Sequence, residues 1–191
     1  MEISERFYGR LTAAHLDRLY GIAVEDHDEQ FFAGHPEYRN RVLSVVLAQG
    51  AAKHWVDGRN GVKDLDVWSF FARIPGERFP ADRRNVHRDF GFSDLGRQPY
   101  DLDAAPDQRS RTLLSKWAAF AGRRVDLLMR ALPVAVGTDA AEAIPAWLRQ
   151  GQQRASGSAW WLAQKAVVLL DPARRGDVVW DGSNAGNPES L

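Results

Sequence analysis

The chain has 191 residues, 25 of them basic and 25 acidic, and no cysteine. This length suits a single domain with a core of its own, and the lack of cysteine excludes disulfides and zinc–thiolate sites. The net charge of zero provides no bulk basic field for long nucleic acid, and no apolar run is long enough to span a membrane.

Helices and strands are predicted at irregular intervals along the chain. Apolar residues at helical or alternating spacing, with Gly and Pro between them, define the segments. In chain order we predict helix 10–31, strand 41–48, helix 50–56, strand 64–72, strand 86–92, helix 111–120, strand 123–130, helices 138–150 and 156–164, and strands 166–170 and 177–180.

The uneven connections do not suit a regular doubly wound sheet. We predict an α/β (α+β) fold, in which a mixed β-sheet has helices packed mainly on one face, with further helices at the N- and C-terminal ends. Residues 1–180 are expected to form one domain, followed by a flexible tail over 181–191 that is rich in Gly, Asn, Ser and Pro. The first residues lack the pattern of a signal peptide, so a cytoplasmic location is expected.

Two aspartates alternate with apolar residues at the start of the strand predicted over 64–72. In a strand, Asp64 and Asp66 share one face, where their charges repel each other. A divalent cation turns that repulsion into binding, and carboxylate oxygens suit Mg²⁺. A third aspartate, Asp126, lies between apolar residues of the strand predicted over 123–130. The three carboxylates are therefore candidate metal ligands.

The order of these residues resembles the motif set of the nucleotidyltransferase superfamily of the DNA polymerase β type. In that family a hydrophobic strand ends in Gly-Gly or Gly-Ser, an Asp-hydrophobic-Asp/Glu element follows, and a third acidic residue lies on a later strand. Here residues 47–51 are Leu-Ala-Gln-Gly-Ala, twelve residues separate Ala51 from Asp64, and Asp126 lies between Val and Leu. The resemblance covers roughly residues 41–130.

The resemblance implies a nucleotidyltransferase-like fold and a metal-dependent enzyme that moves a nucleoside monophosphate from an NTP to a hydroxyl acceptor. Asp64, Asp66 and Asp126 would be its catalytic residues and would hold Mg²⁺ or Mn²⁺, with Asp126 also helping to deprotonate the acceptor. Gly50 would let the backbone approach the triphosphate, and the helix that starts near Ala51 would add N–H donors. This site requires the three aspartates to converge within a few ångströms.

Other residues near the motif are candidate nucleotide ligands. Lys63 directly precedes the Asp-x-Asp element, Arg84 precedes the strand predicted over 86–92, and Arg88 lies in it. Guanidinium groups suit phosphate oxygens because they donate two parallel hydrogen bonds. Ala51 departs from the family pattern, since Gly or Ser usually stands there and Ala has no hydroxyl for a phosphate oxygen.

Alternative functions stay open at this point. The departure at Ala51 is compatible with a non-catalytic nucleotidyltransferase-fold protein that binds or regulates. A glycosyltransferase of the Asp-x-Asp type is disfavoured by the short chain and the irregular sheet. Core packing explains most of the seven tryptophans, although an aromatic surface that stacks a base or an acceptor is a further hypothesis.

The expected partners are an NTP and a small-molecule or protein acceptor, with neither long nucleic acid nor a membrane. The charge distribution leaves one exception open. Residues 73–130 carry eleven Arg and one Lys against eight acidic residues, a net charge of +4. This charge could bind a short RNA end. Mixed blocks of charge are usually exposed faces, so this exception is not the preferred hypothesis.

Overall fold

The centre of the fold is a sheet of six strands. The computed structural model describes residues 9–59, 62–81 and 85–182. In these ranges the strands are β1 (Val42–Ala48), β2 (Leu65–Ala72), β3 (Asn85–Asp89), β4 (Arg124–Leu132), β5 (Ala166–Leu169) and β6 (Val178–Trp180). They lie in the order β3-β4-β2-β1-β5-β6. Only β2 and β4 are parallel neighbours among them, so the predicted α/β (α+β) class with a mixed sheet is confirmed.

Six α-helices accompany the sheet in the described part of the chain: α1 (Ala13–Asp26), α2 (Phe32–Gly34), α3 (Gln49–Asp57), α4 (Gln108–Ala118), α5 (Ala140–Arg154) and α6 (Gly157–Ala163). The side chain of Thr12 caps α1 by accepting a hydrogen bond from the N–H of His15. A π-helical turn (His27–Phe31) joins α1 to α2, and 3-10 helices span Pro36–Arg41 and Pro172–Arg174. None of the helices in these ranges has the length and apolarity to cross a bilayer.

Side-chain alternation along the strands gives the sheet two packed faces. On the α1 face, Val45 and Leu65 pack with helices α1 and α3. On the α5 face, Val46 and Phe70 pack with helices α5 and α6. Helices therefore cover both faces, and the expectation that they pack mainly on one face is wrong. The physical reason is that β1 and β2 are apolar on both sides, as strands are when both faces of their sheet are buried.

The ends of several elements differ from the predicted ends because local contacts decide them. The helix predicted over 10–31 is α1 plus the π-helical turn, and Asp64 precedes β2 instead of starting it. The strand predicted to reach residue 92 ends at Asp89. There the Asp89 carboxylate accepts hydrogen bonds from the backbone N–H groups of Gly91, Ala121 and Gly122. These hydrogen bonds stabilise a turn of the chain after β3. Residues 183–191 of the predicted tail lie outside the described residues.

Candidate functional site

Asp66 and Asp126 lie opposite each other on two parallel strands. They are partners in the register of β2 with β4. Both occupy positions on the α5 face, in phase with Phe70 on β2 and Leu128 on β4. Asp64 lies in the chain just before β2 begins. The structure therefore brings the three aspartates of the predicted cluster to the same end of neighbouring strands.

Arg124 links two of the three carboxylates. Its Nη2 donates hydrogen bonds to Oδ2 of Asp64 and to Oδ2 of Asp126, each over 2.8 Å. Its Nε lies 2.7 Å from Oδ1 of Asp126, at an angle that does not make a hydrogen bond. The exposed fractions of these side chains are 13% for Arg124, 28% for Asp64 and 10% for Asp126. Solvent screens such a group weakly, so the guanidinium is a strong counter-ion for both carboxylates.

An aromatic wall supports the groups that hold Asp126. Nδ1 of His87 donates to Oδ1 of Asp126 over 2.7 Å, because the two residues are partners in the register of β3 with β4. The ring of Trp117 on α4 lies 4.3 Å from the guanidinium carbon of Arg124 and 4.9 Å from the His87 ring. Tyr100 packs on the same tryptophan, at 5.7 Å. The orientation of the Asp126 carboxylate is thus fixed by side chains that are themselves packed.

Asp66 has the least compensated charge of the three aspartates. Burial raises its pKa from the usual 3.8 to about 7, with further increases from the charges of Asp64 and Asp126. Arg124 and Lys165 oppose this rise, but neither of these cations forms an ion pair with Asp66 in the described part of the chain. No ion pair in the described part of the chain therefore neutralises the Asp66 carboxylate, and this carboxylate attracts an added cation.

The turn from β1 into α3 lies beside the carboxylates, because Ala48 is the partner of Asp66 on the antiparallel side of β2. The turn passes through Gln49, whose φ of 61° is in the left-handed region. A side chain at Gly50 would meet nothing within 4 Å, so the backbone there has free space in front of it. Ala51 is 1% exposed and packs in the core of the α1 face. A hydroxyl at residue 51 would therefore lie in the core and away from the aspartates.

The predicted cationic ligands lie in different surroundings. Lys63 is exposed in the loop before β2. Arg88 lies on the α1 face, where its Nη2 donates to Oδ1 of Asp26 over 2.8 Å. Successive residues of a strand point to opposite faces, and His87 occupies the α5 face, so Arg88 is on the wrong side of the sheet for a phosphate at the carboxylates. Arg84 lies outside the described residues.

Three residues of the site were not predicted from the sequence. Arg124 carried a usable signal, since it lies two residues before Asp126 and strand alternation places both on one face. His87 carried none, because it reaches Asp126 only through the pairing of β3 with β4. Lys165 likewise depends on long-range pairing, which sets β5 beside β1 at Gln49.

The donor chemistry of the cluster fits a hard divalent cation, since Mg²⁺ prefers carboxylate oxygens. In their present positions, no three acidic or histidine side chains of the described residues are arranged to hold a metal ion. Arg124 instead bridges Asp64 and Asp126. Metal binding by all three aspartates therefore requires the Arg124 guanidinium to move.

Comparisons of the chain with protein families, with known proteins and with solved structures find no match. The resemblance to nucleotidyltransferases therefore stays a prediction that rests on the motif residues.

Proposed function

We propose that this chain is a metal-dependent nucleotidyltransferase, which moves a nucleoside monophosphate from an NTP to a hydroxyl group of a small molecule or a protein. The observation that supports it most directly is the register pairing of Asp66 with Asp126, with Asp64 joined to Asp126 through Arg124. Three acidic side chains at the same end of neighbouring strands repel one another. A divalent cation bound with a polyphosphate would relieve that repulsion, and the cluster would then serve as the binding site of the metal and the polyphosphate.

The three aspartates would hold Mg²⁺ or Mn²⁺, which supplies neutralisation of the phosphate charge and lowers the pKa of the acceptor hydroxyl. The acceptor oxygen bonds to the α-phosphorus, while the bond from that phosphorus to the bridging oxygen breaks and pyrophosphate leaves. Asp126 takes the hydroxyl proton in this proposal. When Arg124 moves aside, Oδ2 of Asp126 becomes free, and His87 still holds Oδ1 in place.

A second function is favoured by Arg124, namely a non-catalytic nucleotidyltransferase-fold protein with a binding or regulatory role. The guanidinium already makes hydrogen bonds to Asp64 and Asp126, so it satisfies part of the charge that a metal would satisfy. If it never leaves, the aspartates form a rigid ion-pair network that does not bind two metals. A nucleotide would then bind without reacting.

Thermal stability measured with NTPs, with and without Mg²⁺ or Mn²⁺, tests nucleotide binding at this site. We expect a metal-dependent rise in Tm for the wild type that is lost in the double variant Asp64→Asn/Asp66→Asn. The matched control is Glu29→Gln, which removes an exposed carboxylate from the π-helical turn and should keep the rise. A wild type that responds to no NTP, with or without metal, contradicts both proposed functions, whereas a response that needs no metal contradicts the transferase alone.

Pyrophosphate release over a panel of hydroxyl acceptors then separates the two functions. Release that requires the three aspartates supports the transferase. Binding of NTP without release for every acceptor supports the binding protein. Stronger stabilisation by UDP-sugars than by ATP or CTP would instead favour a glycosyltransferase.

A further inference from the structure

Trp161 exposes a large aromatic ring on α6. Its exposed fraction is 63%, although tryptophan is a residue that is highly buried on average. Its neighbour Trp160 is half-buried and contacts it edge-on, with 5.5 Å between the ring centres. Much of the Trp161 ring is therefore available to a ligand.

The backbone of Trp161 is tied to the turn beside the carboxylates. Nε2 of Gln49 donates a hydrogen bond to the carbonyl oxygen of Trp161 over 2.9 Å, and Gln49 is followed by Gly50. The φ of Gln49, 61°, is uncommon for a residue other than glycine, and such outliers gather at ligand sites. β1 lies between β5 and β2, so two strand spacings, about 10 Å, separate the strand that follows Trp161 from the strand of Asp66.

An exposed lysine, Lys165, follows Trp161 by four residues and interacts electrostatically with Asp66. Lys165 directly precedes β5, and the next residue, Ala166, forms a β-bridge with Gln49. The charge of Lys165 reaches Asp66, where it opposes the rise in pKa that burial causes. Trp161 and Lys165 thus precede β5 at the same end of the sheet as Gln49 and the aspartates, and a side chain at Gly50 would meet nothing within 4 Å.

We infer that Trp161 is the stacking platform for the nucleobase of the NTP, whose phosphates pass Lys165 on their way to the aspartates. This inference rests on the proposed nucleotide-binding function and names the part of the site that binds the base. A planar base stacks on an exposed aromatic ring without regard to its hydrogen-bonding edge. The three kinds of group at this end of the sheet, one aromatic, one basic and one acidic, match a base, a polyphosphate and its metal.

The surroundings of Trp161 favour a nucleotide over a protein partner. The backbone carbonyl of Trp161 accepts a hydrogen bond from the amide of Gln49, and Lys165 follows Trp161 by four residues, whereas the core of a protein interface is depleted in charge. Gln164 and Lys165, which follow Trp161 by about one helical turn, are polar. A polar and cationic border of this kind suits a charged ligand with one planar end.

Calorimetric titration of the full chain with two probes tests the inference. The probes are ATP and inorganic tripolyphosphate, each in the presence of Mn²⁺, because only ATP carries a base. We expect Trp161→Ala to weaken ATP binding about tenfold, from the loss of one stacked base, and to leave tripolyphosphate binding unchanged. Trp161→Phe should keep most of the affinity for ATP. Phe92→Ala removes another exposed aromatic ring, 83% exposed, and should change neither.

The other outcomes separate this inference from the proposed function. If the wild type binds neither probe, the nucleotidyltransferase proposal fails, and this inference fails with it. If the wild type binds ATP and Trp161→Ala binds it equally well, the stacking role alone is wrong. Equal loss of both probes in Trp161→Ala also overturns it, because the base would then not be the group that Trp161 contacts. A wild type that self-associates through Trp161, with unchanged ATP affinity in the variant, would identify a contact between copies instead.

Discussion

Asp66 and Asp126 are register partners on the parallel strands β2 and β4, and both lie on the α5 face of the sheet. His87 and Arg124 both contact the carboxylate of Asp126. Asp66 has no such partner among the described residues, and burial together with repulsion raises its pKa to about 7. The negative charges of these two direct neighbours are therefore compensated to different extents.

Replacing Asp66 by Asn is expected to flatten the dependence of folding stability on pH in metal-free buffer. Burial and the charges of Asp64 and Asp126 raise the pKa of Asp66 from 3.8 to about 7, so the folded protein holds this proton more tightly than the unfolded chain does. The stability from this group is complete below pH 4 and is lost as the pH rises to 7, about 4 kcal/mol in all. Urea unfolding between pH 4 and pH 8 measures the slope.

Glu29→Gln is the control, and its stability should fall with pH as the wild type's does. Mg²⁺ added at pH 8 is expected to restore stability to the wild type and to have no effect on Asp66→Asn, because the bound ion replaces the missing counter-charge. Equal pH slopes for the wild type and Asp66→Asn would contradict the raised pKa.

Replacing Arg124 by Gln is expected to raise the affinity for Mn²⁺ at least tenfold, because the guanidinium competes with the ion for Asp64 and Asp126. Without metal the variant should be less stable than the wild type by about 3 kcal/mol, since two poorly exposed carboxylates lose their shared partner. Calorimetric titration with Mn²⁺ at pH 8 gives the affinity, and urea unfolding gives the stability.

Arg174→Gln is the matched control for that experiment. Arg174 also bridges two aspartates, Asp139 and Asp177, but all three side chains are about half exposed, and exposed pairs contribute little. Neither stability nor Mn²⁺ affinity should change by much. An Arg124→Gln protein with the Mn²⁺ affinity of the wild type would mean that the guanidinium does not block the metal, and the binding-protein alternative would lose its main support.

The aspartates of the site were predictable because each has a local signal in the sequence. Asp64 and Asp66 interrupt apolar residues at the two-residue period of a strand, and Asp126 does the same on a later strand. The groups that hold them were not predictable in the same way. His87 and Lys165 arrive through pairing between strands that are distant in sequence, and no local pattern fixes which strands become neighbours.

The sides of the sheet were harder to predict than its strands. β1 and β2 were expected because of their Val, Leu and Phe residues. Because both faces of these strands are apolar, the sequence does not show which side chains face the α1 side of the sheet and which face the α5 side. Arg88 was assigned to the site although it contacts Asp26 on the opposite face of the sheet from the carboxylates. Ala51 was taken as a missing phosphate ligand although its side chain packs in the core. In both cases the residue type suggested a role, but the direction in which the side chain points could not be predicted from the sequence.

Two neighbouring substitutions at the start of α3 are expected to have opposite effects. Ala51→Ser places a hydroxyl in the core of the α1 face, where Ala51 is 1% exposed, and should cost about 1–2 kcal/mol of stability without changing triphosphate affinity. Gly50→Ala meets no atom within 4 Å and does not have a positive φ. It should raise stability by about 0.5 kcal/mol and weaken binding of tripolyphosphate, because its methyl group enters the space in front of the backbone.

Urea unfolding and titration with tripolyphosphate and Mn²⁺ measure both properties for both variants. Each variant is the control for the other, since they change adjacent residues of one helix. A gain in tripolyphosphate affinity in Ala51→Ser would show that residue 51 faces the ligand after all, and would place the phosphate on the other side of α3.

Asp89→Ala is expected to destabilise the turn that positions β4. The Asp89 carboxylate accepts hydrogen bonds from the backbone N–H groups of Gly91, Ala121 and Gly122, at 2.8, 2.6 and 2.9 Å. Burial works against its charged form, but these three donors outweigh it and lower the pKa of Asp89. We expect a loss of about 2 kcal/mol or more at pH 7. For the wild type, this contribution should be lost as the pH falls below about 4.

The control for Asp89→Ala is Asp101→Ala, whose carboxylate accepts a hydrogen bond from one backbone N–H, that of Asp103, in an exposed loop. Its effect on urea unfolding should be within about 0.5 kcal/mol. Asp89 holds the backbone at Gly122, two residues before Arg124. A destabilised turn should therefore also weaken the hydrogen bonds of the Arg124 guanidinium to Asp64 and Asp126. Mn²⁺ affinity in Asp89→Ala is therefore expected to rise towards that of Arg124→Gln. A stable Asp89→Ala protein would instead show that the sheet alone holds β4 in register.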